Sequence, residues 1–383
     1  MVIAEERRSF ARNLAEVIDR LITVQLYSAG GGSFFTAAPV VQRLYDAARA
    51  RFGEPLTYLG AVRLLESIER AAPVLISTGF IVPIWLRPET DGPIGAASLA
   101  RALDVAAEAR SIIVTEVANV GMMEQVCRAS GLQVDGLDAA LATPRKVAVL
   151  GFPLDHEAAK REATRLLDTI RPRAIVTVEK PSWNEKRIHH NGYGLDVSPI
   201  VAKVDYLIEQ ARERGILTIG IGDGGNEIGM GCIVEAVKAA IPTATKCVCP
   251  CGAGIAAATA TDLLVVGTIA NWACYGIEAC MAALLGVPHL LHDPATERRL
   301  LEAAALAGMV DPVTGLAEAR VDGLPAEVHV SLIEILTRVL ELKMLVAWGP
   351  GEVMKWVGRK EEVADGIRRL GVSLARAEEA GRA

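Results

Sequence analysis

Four short segments set acids or amides beside glycine or proline, a pairing that can hold a charged ligand close to the main chain. The densest is LTIGIGDGGNEIGMG, Leu217 to Gly231. Gly222, Gly224 and Gly225 permit close approach of a ligand to the backbone, and Asp223 and Glu227 lie four residues apart around Asn226. The phosphate fingerprints fail here. There is no Gly-Lys-Ser/Thr, and Gly220-x-Gly222-x-Gly224 completes only half of G-x-G-x-x-G. Two carboxylates and an amide on a glycine loop suit a divalent cation, Mg²⁺ or Mn²⁺, or an amino-acid ammonium group better than a bare phosphate. Asp223 and Glu227 are the candidate metal ligands, with Gly224, Gly225 and Asn226 beside the substrate. The competing reading is a merely close-packed turn.

The other three segments carry fewer groups. In RPETDGPIGAASL, Glu89, Asp91 and Gly92 precede a helix beginning near Pro93. Such a turn exposes N–H groups that can hold an anion, or else Asp91 caps the helix. In VEKPSWNEKRIHHNGYGLDVS, an apolar strand delivers Glu179 and Lys180 into a polar loop carrying His189, His190 and Asn191. Lysine there could neutralise a substrate carboxylate and glutamate could transfer protons; the plain alternative is a surface ion pair. Adjacent histidines do not face one ligand together, and one can simply be solvated. In DLLVVGTIANWACYG, Asn271 and Trp272 end a strand, offering an amide and a pocket wall, or an ordinary core tryptophan.

What must position these residues is an alternation of strands and helices. Apolar strands are expected at 73–80, 111–117, 146–153, 173–181, 216–225 and 262–269, with helices at 95–109, 121–131, 155–171, 198–215, 226–241 and 275–286. That order predicts an α/β fold with a Rossmann-like, mostly parallel sheet covered on both faces. Ligands in such sheets bind at the carboxyl ends of strands, near a switch in strand order, which is where all four segments fall. Residues 1–70 read as a helical lead-in, 71–290 as the α/β core and 291–383 as a charged helical layer, together one structural domain. Gly30 to Gly32 read as a hinge in the lead-in.

Composition narrows the classes further. The 383 residues carry a formal charge of −6 and 22% charged side chains, with no basic run interleaved with aromatics, so nucleic acid is an unfavoured partner. The most apolar stretch, 253–291, is broken by Asp262, Asn271, Glu278 and Pro288, which speaks against a membrane span. No secretory leader is apparent, so a cytoplasmic protein with reduced thiols is expected. Cys247, Cys249 and Cys251 alternate as in a strand rather than at zinc-knuckle spacing, and read as buried or semi-buried small apolar residues, with metal or redox chemistry as the alternative.

ETDGPIGA, EKP…HNGYGLD, IGIGDGGNEIGMG and the NW pair, in this order, resemble the D-glutamate cyclase-like C-terminal domain family, as does LYDAARARFGEPLTYLGAVRLL. The resemblance covers roughly residues 15–345. It implies a lyase that closes D-glutamate, or a related small amino acid, to 5-oxo-D-proline with loss of water. That cyclisation needs a proton acceptor, a neutralised carboxylate and oriented N–H groups, for which Glu179, Lys180, Asp223 and Glu227 are the catalytic candidates. Glu89, Asp91, Gly92, Asn191, Gly224, Gly225, Asn226, Asn271 and Trp272 are the candidates for holding the substrate. A homo-oligomer acting on a small acidic metabolite is expected. Another small-acid enzyme, such as a hydro-lyase or phosphate-handling enzyme, and a non-catalytic metabolite-binding module remain alternatives.

Overall fold

A computed structural model describes residues 3–26, 40–346 and 364–371. The hinge expected at Gly30 to Gly32 and most of the chain beyond 346 lie outside the described residues. The chain divides into two units, Met1–Thr337 and Arg338–Ala383. The first therefore contains the lead-in, the α/β core and the start of the expected C-terminal layer. In the second, residues 364–371 are helical.

The first unit is built on seven parallel strands. They are β1 (Pro73–Thr78), β2 (Arg110–Glu116), β3 (Gln133–Val134), β4 (Lys146–Phe152), β5 (Ala174–Val178), β6 (Leu217–Gly222) and β7 (Leu263–Val266). Their order across the sheet is β3-β4-β2-β1-β5-β6-β7. Strands β2, β5 and β7 are buried at every residue, as expected where helices cover both faces. Only β3 has no counterpart among the expected strands, because two residues leave no period to read.

After β1 the chain runs to one side of the sheet, and after β4 it returns to place β5 on the other side of β1. The switch in strand order therefore lies between β1 and β5. On the β1 side helix Pro93–Ala107 follows; Ala270–Leu285 packs against it, against Glu5–Ile22 and against Leu56–Ser67. The buried Asp19 carboxylate secures the lead-in by accepting from the Leu56 and Thr57 N–H groups and the Tyr45 hydroxyl.

Three local expectations are corrected. The helix expected from 226 begins only at Met230, as a short 3-10 turn before Val234–Ala240. The reason is a backbone crossing: a Cβ on Gly220 would sit 2.4 Å from the Ile228 carbonyl oxygen and 2.6 Å from the Gly229 Cα. The loop folds back over its own strand, so Glu227 stands in a loop and not in a first helical turn. Likewise β7 stops at Val266, and Asn271 and Trp272 open helix Ala270–Leu285 rather than end a strand. Finally, residues 247–251 form turns, not a strand. Their Cys-Val-Cys-Pro-Cys alternation is an accident of spacing, and Pro250 removes a backbone donor that a ladder would need.

Candidate active site

The carboxyl ends of β1, β5, β6 and β7 surround a cavity of about 210 Å³. Glu89, Glu179, Asn191, Asp223, Gly224, Asn226 and Glu227 line it, as does Asp322. Phe80, Val82, Val41 and Ile269 supply apolar wall. Among the described residues no lysine, arginine or histidine lines it.

Each acid has its own reason for being there. Glu179 follows β5 with φ +46, a conformation costly for a non-glycine residue. This twist sends Glu179 into the cavity and the next residue, Lys180, away from it. One Glu179 carboxyl oxygen, Oε2, is buried without a hydrogen-bond partner. Glu227 is held by the loop itself: its two oxygens accept the N–H groups of Gly224 at 2.7 Å and Gly225 at 2.8 Å. The chain beyond it is stitched to the β5 exit through Ile228 N–H to the Lys180 carbonyl and Ser182 N–H to the Asn226 carbonyl, 2.8 Å each. Glu89 is held where Thr90 N–H and Val310 N–H exchange bonds with the Val310 and Pro88 carbonyls.

Asp322 escaped the sequence reading, which took the last third as helical. It begins the two-residue turn between the paired Val321 and Leu324, with φ +51, followed by Gly323 at φ +78. Asp-Gly between apolar residues is a hairpin signal, so the turn was detectable, though not its destination. Thr90 Oγ1 donating to the Arg320 carbonyl at 2.6 Å draws this hairpin to the β1 exit.

Other expected residues lie outside the cavity wall. Lys180 is fully buried, ion-paired with Glu116 and donating to the Gly79 carbonyl. The cation expected at a substrate carboxylate is therefore engaged across the sheet, where it braces the β1, β2 and β5 exits. Asp91 and Asn271 cap each other's helices. Asp91 accepts from Ala270 N–H and Asn271 N–H at 2.8 and 2.9 Å, and Asn271 Oδ1 accepts from Gly92 N–H and Gly95 N–H at 2.9 and 2.7 Å. The N–H groups expected to meet an anion already have a partner. Gly92 is required for fit, since a Cβ there would lie 2.6 Å from the Thr78 hydroxyl. Trp272 is core, donating Nε1–H to His329 at 3.0 Å, and Gly225 serves Glu227. His189 and His190 are both buried: His189 bonds Asp205 at 2.9 Å, and His190 faces the cysteines.

The electrostatics are one-sided. Burial, and then the charges of Asp223 and Glu227, push the Glu179 carboxyl well above its ordinary range. Burial and then Asp322 and Glu227 do the same to Asp223, and burial and Asp322 to Glu89. Burial also raises Glu227, against the loop N–H bonds and a hydrogen bond from Glu179. Asp91 rises to about 6 through burial, restrained by its cap bonds. Asp322 is raised by burial and by Asp91 and Asp311; its side chain keeps partial solvent access, so the neighbouring acids weigh more there. Two overlapping triads bring carboxylate oxygens within 4.8 Å of one another: Glu179, Asp223 and Glu227, and Asp91, Asp223 and Asp322. Both are all-oxygen sets, the donors that Mg²⁺ and Mn²⁺ prefer.

Fold and site define an α/β protein with a buried acidic cavity at the switch point of a parallel sheet. The chain belongs to the D-glutamate cyclase-like, C-terminal family, whose model matches residues 50–337. It is 29% identical over 228 residues to the human protein named D-glutamate cyclase, mitochondrial. That stretch covers 57% of this chain and 34% of the human protein, so the chain spans about a third of its relative's length. No helix among the described residues is long and apolar enough to cross a membrane.

Proposed function

We propose that this chain is a D-glutamate cyclase-like lyase, closing D-glutamate to 5-oxo-D-proline and water. The observation that carries the reading is a cavity walled by buried carboxyl groups and, among the described residues, no basic side chain, in which Glu179 has one unpartnered oxygen. Such a wall favours the ammonium group of an amino acid and repels its carboxylates. A dicarboxylate therefore enters with its charge neutralised, and the all-oxygen triads fit a divalent cation for that purpose. Asp223, with Glu179 and Glu227, would hold it. When bound, the ion supplies positive charge beside the γ-carboxylate.

The reaction makes one N–C bond and breaks one C–O bond. The ammonium group loses two protons, and both leave on the departing oxygen as water. Net proton release is zero, so one carboxyl group that takes a proton and returns it is sufficient. Glu179 suits that role. Its raised pKa brings it nearer to neutral pH, it lines the cavity with one carboxyl oxygen buried and unpartnered, and its hydrogen bond to Glu227 steadies it. Asn191 and Asn226 offer neutral polar groups to orient the substrate, and Phe80 and Val82 exclude water from the reacting carbon.

The test is incubation of the purified protein with D- and L-glutamate, with and without Mn²⁺, following primary amine and 5-oxoproline together. Loss of amine matched by 5-oxoproline from D-glutamate is expected. Tight binding of glutamate without turnover would favour a binding module, and no response to glutamate would favour an enzyme acting on another small acid.

A further inference from the structure

His190, Cys247, Cys249 and Cys251 converge outside the cavity. His190 Nε2 lies 3.2 Å from Cys249 Sγ and 3.6 Å from Cys251 Sγ, while Cys247 Sγ lies 3.5 Å from Cys249 Sγ and 3.3 Å from Cys251 Sγ. All four ligand atoms fall within 4.8 Å of one another. Around a tetrahedral zinc ion, bond lengths of about 2.3 Å to sulfur and about 2.0 Å to nitrogen put sulfurs about 3.8 Å apart and sulfur about 3.5 Å from nitrogen. The four edges measured here come within about half an ångström of those values. The sulfurs are too far apart for a disulfide, whose bond is about 2.05 Å. Three thiols and an imidazole gathered this closely suit a single shared metal ion.

We infer that these four residues form a structural Cys₃His zinc centre that fixes one wall of the acidic cavity. The surroundings fit. His190 Nδ1 lies 3.1 Å from the Ile188 carbonyl, which holds the proton on Nδ1 and turns the Nε2 lone pair toward the sulfurs. Cys251 N–H points at Cys249 Sγ at 3.4 Å, and Asn184 Nδ2 at Cys251 Sγ at 3.5 Å; both favour thiolates. Three thiolates and an imidazole are soft donors that select zinc over Mg²⁺ or Mn²⁺. All four coordination positions are filled by protein, the mark of a structural rather than a catalytic zinc.

The link to the cavity is short. Asn191, Gly192 and Tyr193, which line it, follow His190 directly. The His190 carbonyl accepts from Asn226 Nδ2 at 2.8 Å, and Val248 N–H donates to the Gly194 carbonyl at 3.2 Å. Zinc would thus join the 184–196 loop to the 243–254 turns and, through Asn226, to the glycine loop.

The test is metal analysis of the full chain produced with zinc available, before and after dialysis against a mild chelator. About one tightly held zinc per chain is expected, and Cys249→Ser and His190→Ala should hold almost none. His190→Cys, which offers a fourth thiolate, should restore it; this rescue separates ligand loss from misfolding. Cobalt substituted into the unaltered protein should give an intense tetrahedral ligand-field spectrum and a thiolate-to-cobalt charge-transfer band, which carboxylates in the cavity cannot produce. A zinc-free chain in which the thiols of Cys247, Cys249 and Cys251 all react freely, or one in which mass spectrometry finds a Cys247–Cys251 disulfide, overturns the inference. So does zinc content unchanged by Cys249→Ser.

Discussion

Two regions of the molecule bury several acids, and they treat the charge in opposite ways. Behind the sheet, Glu278 and Glu297 flank His292, and all three are fully buried. His292 bonds Glu278 at 3.2 Å and Glu297 at 2.9 Å, Ser98 donates to Glu278 at 2.6 Å, and Tyr275 donates to Glu297 at 3.0 Å. Burial is the strongest single influence on His292 and lowers its pKa, yet the bonds and charges of the two glutamates together lift it to about 9. The cluster carries its own cation and its own donors. The cavity has more acids, none of them opposed by a basic wall residue among the described residues, and every one of them is pushed toward its neutral form. A folded protein tolerates buried charge when it is paired. The unpaired cluster lies at the switch point of the sheet, so its imbalance is available to a ligand that brings positive charge.

That contrast can be broken or sharpened by experiment. The largest effect is expected at Glu179. Glu179→Gln keeps the size of the side chain and removes its proton, so turnover should fall about 10²- to 10⁴-fold while the melting temperature holds or rises. Turnover close to that of the unaltered protein would break the assignment. Next is His292→Ala, which strands two buried glutamates and should cost about 3–5 kcal/mol in urea unfolding. Glutamate turnover by the remaining folded protein should be unchanged, because the compensated cluster has no part in the chemistry. A stability loss confined to Glu179→Gln, with His292→Ala neutral, would reverse the comparison.

A third test uses metal. Mn²⁺ at one hundred times its Kd should stabilise the unaltered protein by about 2.7 kcal/mol, and Asp223→Asn should lose that gain without losing its fold. Cys249→Ser should keep it, since the soft and hard sites are separate.

The smallest effect is on pH dependence. Asp91 binds its proton more tightly folded than unfolded, at about 6 against an ordinary 3.8. Its contribution is therefore fully present below the ordinary value and is lost as pH rises through about 6. His292, also raised, contributes stability that is full below its ordinary 6.5 and is lost as pH rises through about 9. Two separate declines in melting temperature with rising pH are expected in metal-free protein. Mn²⁺ should blunt the lower one, and His292→Ala should remove the upper one.

Much of the architecture was legible because parallel strands buried on both faces read as apolar runs. Five of the seven central strands lie within the expected stretches, and β2 starts one residue before its own. Element ends were less legible where partners come from far away. Helix Ala270–Leu285 starts several residues earlier than periodicity suggests because Asp91, distant in sequence, supplies the cap. At the site, the rule that ligands gather at strand ends singled out Glu89, Glu179, Asp223 and Glu227, which share the cavity. It also drew in Lys180 and Asn271, because a residue's position after a strand does not say which way its side chain turns. Asp322 and the cysteines show the opposite failure: each has a local explanation, a hairpin turn or a strand-like alternation, that conceals its long-range company.

By itself, the sequence determined the α/β class, the strand ends that carry chemistry and the acid-rich glycine loop, because these depend on local periodicity and residue type. Tertiary structure decided which charges are neutralised. Lys180 meets Glu116, Asp91 meets the Asn271 helix, and His190 meets three cysteines only when segments far apart in the chain are packed together. Electrostatic compensation depends on distance in space, and the Coulomb energy of a pair in a low-dielectric interior falls off over a few ångströms of misplacement. Whether an acid is a structural partner or an open ligand group therefore appears only in the folded chain.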